Sequence, residues 1–383
     1  MTSVTDLQPA AGAHASVAPA KFAAPRSDHG QYAYETRYDD GSPHHTVVID
    51  SKQSQLNRVE EGLRAAIGDG HAALARLPRV VVSYESGGRS IEYSDLDLPH
   101  RIYDGHIRAG TVDGQPTTQH DAYIGVRDAH PGNASALLAM SPVSLVLGSW
   151  DSSRAARQGR WRSVLVGEIV GFCEPPGQTP ALKGGARVDP HGMRIELTGV
   201  ALKALAERQR AELSRSTFEK AVKSADAAKA DKRAKTSVVG LGGIPPTLEA
   251  LAGVACRKIV RSHVLSFSAL RQIRFGTGPD GDAACRALLA ALALAGLARS
   301  DAELVLRANC DLVEAAPTRV TLHERAGRSR EFEAMSIGEA DALLAAALDH
   351  AGRVADVTWS GVVLRITGDP AIGAGAVDEP EVP

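Results

Sequence analysis

The sequence predicts an α+β fold of the ferredoxin-like, split βαβ kind, a sheet backed by helices and carrying large insertions. Three observations predict it. Near the start, a β-branched run (His45 to Asp50), an amphipathic stretch and a valine-rich run (Leu77 to Tyr84) follow in the order β-α-β. In the last third the order is helix, two strands, helix, strand. Of the 383 residues 44% are hydrophobic but only 4% aromatic, so aliphatic side chains must fill the core.

Residues 1–27, rich in Ala, Pro, Ser and Thr without periodicity, read as a flexible tail. Residues 28–367 read as a single elaborated domain. After the first strand, Ser51 or Ser54 caps a helix from about Gln53 to Ile67, with Leu56, Val59, Leu63 and Ile67 at helical spacing. Residues 85–135 are turn-rich and form a first insertion. Pro142 to Gly148 and Arg162 to Phe172 read as strands. A second insertion, about 175–250, contains Lys183-Gly-Gly-Ala-Arg187 and a charged helical stretch, Val200 to about Lys229, with a thin stripe of Leu202, Leu205 and Leu213. Gly253 to Ile259 is predicted as a strand, Ser266 to Phe275 as a helix and Ala283 to Ala298 as a buried helix. Glu303 to Val313 alternates as a strand would, Arg319 to Glu324 pairs with it, and Ser336-Ile-Gly-Glu339 is a capping box opening a helix to about His350. Val354 to Ile366 closes the fold as a strand, before an acidic, flexible tail at 368–383.

The first residues lack the basic and apolar regions of a secretory signal, and the longest apolar run, Ala287 to Ala298, is shorter than the roughly 20 residues a bilayer requires. A cytoplasmic protein without membrane contact is expected. Cys173, Cys256, Cys285 and Cys310 lie far apart with no C-x-x-C pair, and read as buried small hydrophobes. Net charge is −2, yet residues 151–275 hold 22 Lys and Arg against 11 Asp and Glu. Such a split points the middle third toward an anionic partner.

Several chemistries are excluded or weakened by spacing. Val238-Val-Gly-Leu-Gly-Gly-Ile-Pro245 imitates a dinucleotide-binding turn, but Pro245 stands where the third glycine belongs and the ribose-binding acid is missing. A nicotinamide-dependent oxidoreductase using the Gly240 turn therefore stays only an alternative. The thirteen histidines include no H-E-x-x-H, and no nucleophile elbow or phosphate loop occurs, so neither a metal site nor a cofactor is expected. What remains is basic. Arg154, Arg157, Arg160 and Arg162 surround Trp150 and Trp161, Lys183 and Arg187 flank glycines, and Arg257, Lys258 and Arg261 add three cations. Lys and Arg beside Gly grip phosphates by charge and backbone N–H together, whereas the low aromatic content disfavours reading bases mainly by stacking.

Six motifs in register carry a resemblance: Ser51-Lys-Gln-Ser-Gln-Leu-Asn-Arg-Val-Glu60; Leu147-Gly-Ser-Trp-Asp-Ser152 leading to Arg160-Trp-Arg-Ser163; Gly184-Gly-Ala-Arg-Val-Asp189; Gly240-Leu-Gly-Gly-Ile-Pro-Pro246; His263-Val-Leu-Ser-Phe-Ser-Ala-Leu-Arg271; and Leu306-Arg-Ala-Asn-Cys-Asp-Leu312. Together they resemble the backbone RAMP subunit, the GSU-type seven-class Cas protein, of type I-U (also called I-G) CRISPR surveillance complexes. The resemblance implies an RNA-recognition-like palm with a thumb and no catalysis. It implies copies that oligomerise along guide crRNA within a Cascade-like antiviral ribonucleoprotein, pairing it with a target DNA strand alongside other effector subunits. Carried over, it places Lys52, Gln53, Asn57 and Arg58 against guide phosphates at the first helix N-terminus. It puts Arg160, Arg162, Lys183 and Arg187 in a groove or thumb, and the turn at Gly240, Gly242 and Gly243 near the RNA or a neighbouring subunit. Leu306 to Leu312 is assigned to core strand. A RAMP-type ribonuclease and a scaffold binding only protein are the remaining alternatives.

Overall fold

The computed structural model describes residues 1–22, 31–86, 89–154, 159–175, 181–183, 187–228, 233–245, 247–249 and 253–375. The chain divides into two units: Met1–Ala23, Gly30–Pro175 and Val254–Ala376 form one, and Pro176–Gly253 with Ala24–His29 and Val377–Pro383 the other. The insertion expected at about 175–250 falls on the second.

The first unit is built on β1 (Thr2–Pro9), β2 (Tyr34–Asp39), β3 (Ser42–Asp50), α1 (Lys52–Gly68), β4 (Leu165–Cys173), β5 (Val254–Leu265), α2 (Gly278–Ala302), β6 (Arg319–His323), β7 (Ser329–Phe332) and α3 (Ile337–Ala355). Its main sheet runs β7-β6-β1-β5-β4-β3-β2, and every pair along that path is antiparallel. Taken in chain order, β1, α1, β4, β5, α2 and β6 give β-α-β-β-α-β, and the spatial order β6-β1-β5-β4 is that of the ferredoxin-like fold. The α+β expectation holds, but its opening strand is β1, inside the stretch read as a tail. The residues β1 turns inward are Ser3, Thr5, Leu7 and Pro9, so its buried face lacks the apolar alternation that marks a strand. The run expected to open the fold is the second arm of an edge hairpin, β2–β3, whose Asp40-Gly41 turn has φ of 49° and 77°.

Helix α1 starts where Ser51 accepts the N–H of Ser54 at 3.3 Å, and buries Leu56, Val59 and Leu63. Helix α2 is longer than its apolar run suggested. By length and composition it meets the requirement for crossing a membrane, but 78% of its most apolar stretch is buried. It packs against α1 and α3, and α3 opens with the expected Ser336–Glu339 capping box.

Other expectations are corrected. Pro142–Val146 is a short helix rather than a strand: all five residues are buried, so the run carries no period, and Pro142 at the N-terminal turn suits a helix start. The helix expected over Ser266 to Phe275 is confined to Phe267–Leu270. The alternation from Glu303 yields a strand only at Leu312–Glu314, since Asn309 adopts φ 61°. The closing strand is Val362–Thr367, because α3 continues to Ala355. It lies parallel to Arg79–Ser86 in a second, five-stranded sheet. Residues 85–135 do not stand apart from the core; they supply Ile102, Tyr103, Ile107 and Tyr123, all buried. Pro370–Gly375 is helical, and the rest of the acidic tail lies outside the described residues. All four cysteines are free and buried.

The second unit contains two ribbons, Ala181–Lys183 with Thr247–Glu249 and Glu196–Thr198 with Arg233–Lys235. The expected long helix is a helical pair, Gly199–Arg208 and Arg215–Ala227, broken where Ser214 caps the second helix. Leu202, Ala225 and Ala234 form its small core.

Candidate nucleic-acid interface

A two-rung hairpin, Ser149–Trp150 with Arg160–Trp161, organises a cleft that gathers several of the candidate residues. One rung points inward: Ser149 and Trp161 are buried, and the Trp161 indole N–H donates to the Tyr103 hydroxyl at 3.1 Å. The other rung faces out. Trp150 is 44% exposed, and its cross-strand partner Arg160 holds its guanidinium 4.5 Å from the indole centroid. Gly148, just before the hairpin, has φ 81°, and a Cβ there would lie 2.8 Å from the backbone N of Ser163. Arg101 braces the same turn, donating to the Gly148 carbonyl at 2.7 Å and to both Glu60 oxygens at 2.6 and 2.9 Å.

The resulting cleft has a volume of about 480 Å³ and is lined by Gln53 and Asn57 of α1, His100, Trp150 and Arg160 among others. A second cleft of about 440 Å³ adjoins it, sharing Arg160 and Trp161 and reaching Arg127 and His130. Arg160 thus lines both depressions. Arg162, next but one along the chain, is exposed and has no ion pair among the described residues.

Behind the cleft a buried polar chain fixes the N-terminus of α1. Arg307 pairs with Asp50 and donates to the Ile49 carbonyl at 2.7 Å. The Gln55 amide donates to Asp50 at 2.6 Å and accepts from Arg261 Nε at 2.9 Å. Arg261 also donates to the carbonyl and hydroxyl of Ser300 and pairs with Asp301 at 2.7 Å. Three segments distant in sequence therefore hold one helix end, with Lys52, Gln53 and Asn57 exposed in front.

The remaining candidates separate. Arg58 turns away from Asn57 into another cleft, beside Glu61 at 3.6 Å and near His71, Arg299 and Glu303. Successive helical residues differ by about 100°, so sharing a turn does not mean sharing a face. Arg261 is 3% exposed and committed to Asp301, which removes it from any surface. Arg257 meets His44 at 2.5 Å, while Lys258 pairs with Asp39 at 3.0 Å. That bond to Lys258 holds the Asp39 carboxyl below its usual range.

In the second unit Arg187 is exposed and its backbone bridges to Ile244, whereas the side chain of Lys183, like Gly184 and Arg157, lies outside the described residues. The glycine turn does not offer bare amides. The N–H of Gly240 donates to Ser237, that of Gly242 to the Asp189 carboxylate at 2.8 Å, and that of Gly243 to Met193. It follows a 3₁₀ turn and precedes a short strand, so the strand–turn–helix geometry of a dinucleotide site is absent there. Among the described residues no cluster of three His, Cys, Asp or Glu is arranged to hold a metal ion. Sequence reasoning missed Gln55 and Arg101. A glutamine immediately before Leu56 on a helix start was a visible signal for the first; nothing local marked the second.

Fold and cleft first define a class: an α+β protein with a ferredoxin-like antiparallel sheet, bearing an open, arginine-edged cleft at the start of its first core helix. Residues 1–174, somewhat less than half of the chain, match the family model described as CRISPR-associated protein GSU0053, and that span is similar to a GSU-type CRISPR-associated protein. Every residue lining the 480 Å³ cleft lies within the matched span. No curated protein matches the chain.

Proposed function

We propose that this protein is a non-catalytic, cytoplasmic backbone subunit that oligomerises along guide crRNA in a Cascade-like effector, presenting the guide to a target DNA strand together with other CRISPR subunits. The match of residues 1–174 to a CRISPR-associated family supports the general role. The observation that carries the finer one is the pair of clefts that share Arg160, with Gln53 and Asn57 lining the first and Lys52 and Arg162 exposed close to these residues in the chain. A single-stranded polyanion needs such a path: cations spaced along an open trough, on a scaffold that does not move. Helix α1 adds the partial positive charge of its N-terminus. Of the other basic candidates, Arg58 and Lys258 are answered by carboxylates and Arg261 is buried, so the basic surface is narrower than residue counting indicates.

The test is filter binding of single-stranded RNA across a salt series. Each phosphate contact contributes a slope of about −0.7 in log K against log salt. Arg160→Glu with Arg162→Glu should flatten the slope by roughly 1.4 and weaken binding, while Arg58→Ala leaves both unchanged. Unchanged affinity and slope in the folded double variant would overturn the assignment.

A further inference from the structure

We infer that the 480 Å³ cleft seats one unstacked nucleobase against the Trp150–Arg160 pair, with its edge read by Gln53 and Asn57; this rests on the RNA-binding function proposed above. Phosphate contacts alone do not account for what lines this cleft. A protein of only three tryptophans leaves one of them 44% exposed at its wall, on a rung that cannot turn inward because Trp161 and Ser149 occupy the buried side. The guanidinium at 4.5 Å makes indole and cation one stacked platform, a surface that accepts the π-face of any base.

Opposite the platform, α1 presents Gln53 and Asn57, four residues apart and therefore on one helix face. Both amides are exposed, and neither has a side-chain hydrogen bond to another described residue. Each offers a donor and an acceptor side by side, the pattern that matches a base edge and that a phosphate, an acceptor only, would half use. The volume of about 480 Å³ is ample for one base with its sugar outside. The rigid setting matters as well: Arg101 and Gly148 fix one wall and the Asp50–Gln55–Arg261 chain fixes the other, so the seat exists before the ligand arrives.

The experiment uses the full chain and a short single-stranded RNA of about 12 nucleotides carrying 2-aminopurine at successive positions. One position in a repeating register should be quenched on binding. Replacing the base there by an abasic site should weaken binding to the wild-type protein by roughly 5- to 100-fold, and Trp150→Leu should remove both the quench and the penalty for the abasic site. Trp150→Phe should retain most of each. If the wild type binds no RNA, the proposed function falls and this inference with it. If it binds with the expected salt slope but every position behaves alike, or Trp150→Leu leaves the positional pattern intact, the seat alone is refuted. The abasic series needs no protein variant, so a misfolded Trp150→Leu does not rescue the idea.

Discussion

Asp95 should make this protein lose stability as pH rises through the mildly acidic range, and Asp95→Asn should abolish that loss. The carboxyl is fully buried at the start of the loop that walls the cleft at Pro99 and His100. It accepts the Val80 N–H at 3.2 Å and bonds to the Ser141 hydroxyl, and no cationic side chain bonds to it among the described residues. Burial pushes its pKa up to about 7, against the smaller opposing effects of the Ser141 and Val80 bonds. The native state therefore keeps a proton that the unfolded chain, with an ordinary aspartate, releases near pH 4. Between those values the native state binds more protons, so unfolding free energy falls as pH rises, by about 1.4 kcal/mol per unit and about 4 kcal/mol in all. Below pH 4 both states are protonated, and above about 7 both are ionised, so the dependence ends at each side. An asparagine reproduces the protonated carboxyl: its oxygen accepts from Val80 and its NH₂ donates to the Ser141 oxygen. Urea midpoints from about pH 4 to 8 should show the two proteins converging at the acid end and the variant ahead at neutrality. Parallel curves for wild type and Asp95→Asn over that range would refute the reasoning.

Arg261→Met should destabilise the protein by about 2–4 kcal/mol, since the buried Gln55 amide oxygen would lose its donor and the half-buried Asp301 its ion pair; urea denaturation measures it, and a loss below about 1 kcal/mol would contradict the buried chain described. Gly167→Ala would place a Cβ 2.0 Å from Cδ2 of His263, whose imidazole is already held neutral by burial at a pKa of about 3. A loss of about 1–3 kcal/mol is expected, and a double-mutant cycle with His263→Ala should recover most of it.

Where local chemistry and burial agree, the sequence is legible. Ser51 followed by Leu56, Val59 and Leu63 marks α1, and Ser336 with Glu339 marks the start of α3. Where a buried face is polar, the same rules fail. Ser3 and Thr5 lie beneath the helices because their neighbours across the sheet are His263 and Arg261, not aliphatic side chains, so the first half of β1 carries no hydrophobic period. The cleft was half legible. Gln53, Asn57 and Arg160, separated by a hundred residues, do line one cleft, because the motif that bears the first two opens a helix and the motif that bears the third closes a hairpin. Arg101, which positions the hairpin, adopts φ 50° in a turn-rich stretch where no periodicity could single it out.

The fate of the three cations on β5 shows why a count of basic residues is not a basic surface. Along an antiparallel strand the faces alternate, so Arg261 and His263 share the helix side with Ile259. The register with β4 then slips: Phe172 pairs with Lys258, but Cys173 pairs with Cys256, leaving Arg257 as the extra residue of a bulge. That one residue turns Cys256 inward and sets Arg257 and Lys258 side by side in solvent. Without the bulge, Arg257 would continue the parity of Arg261 and face the core. The outward residues Val260 and Val264 are more apolar than the inward Arg261 and His263, so hydrophobic patterning alone selects the wrong face. What reverses it is the polar chain from Asp50 to Asp301, in which Arg261 meets the Ser300 carbonyl near the C-terminus of α2, where a buried cation is favoured by the helix dipole. Arg261 thus supports the cleft from behind, by fixing Gln55 and with it the helix end that carries Gln53 and Asn57.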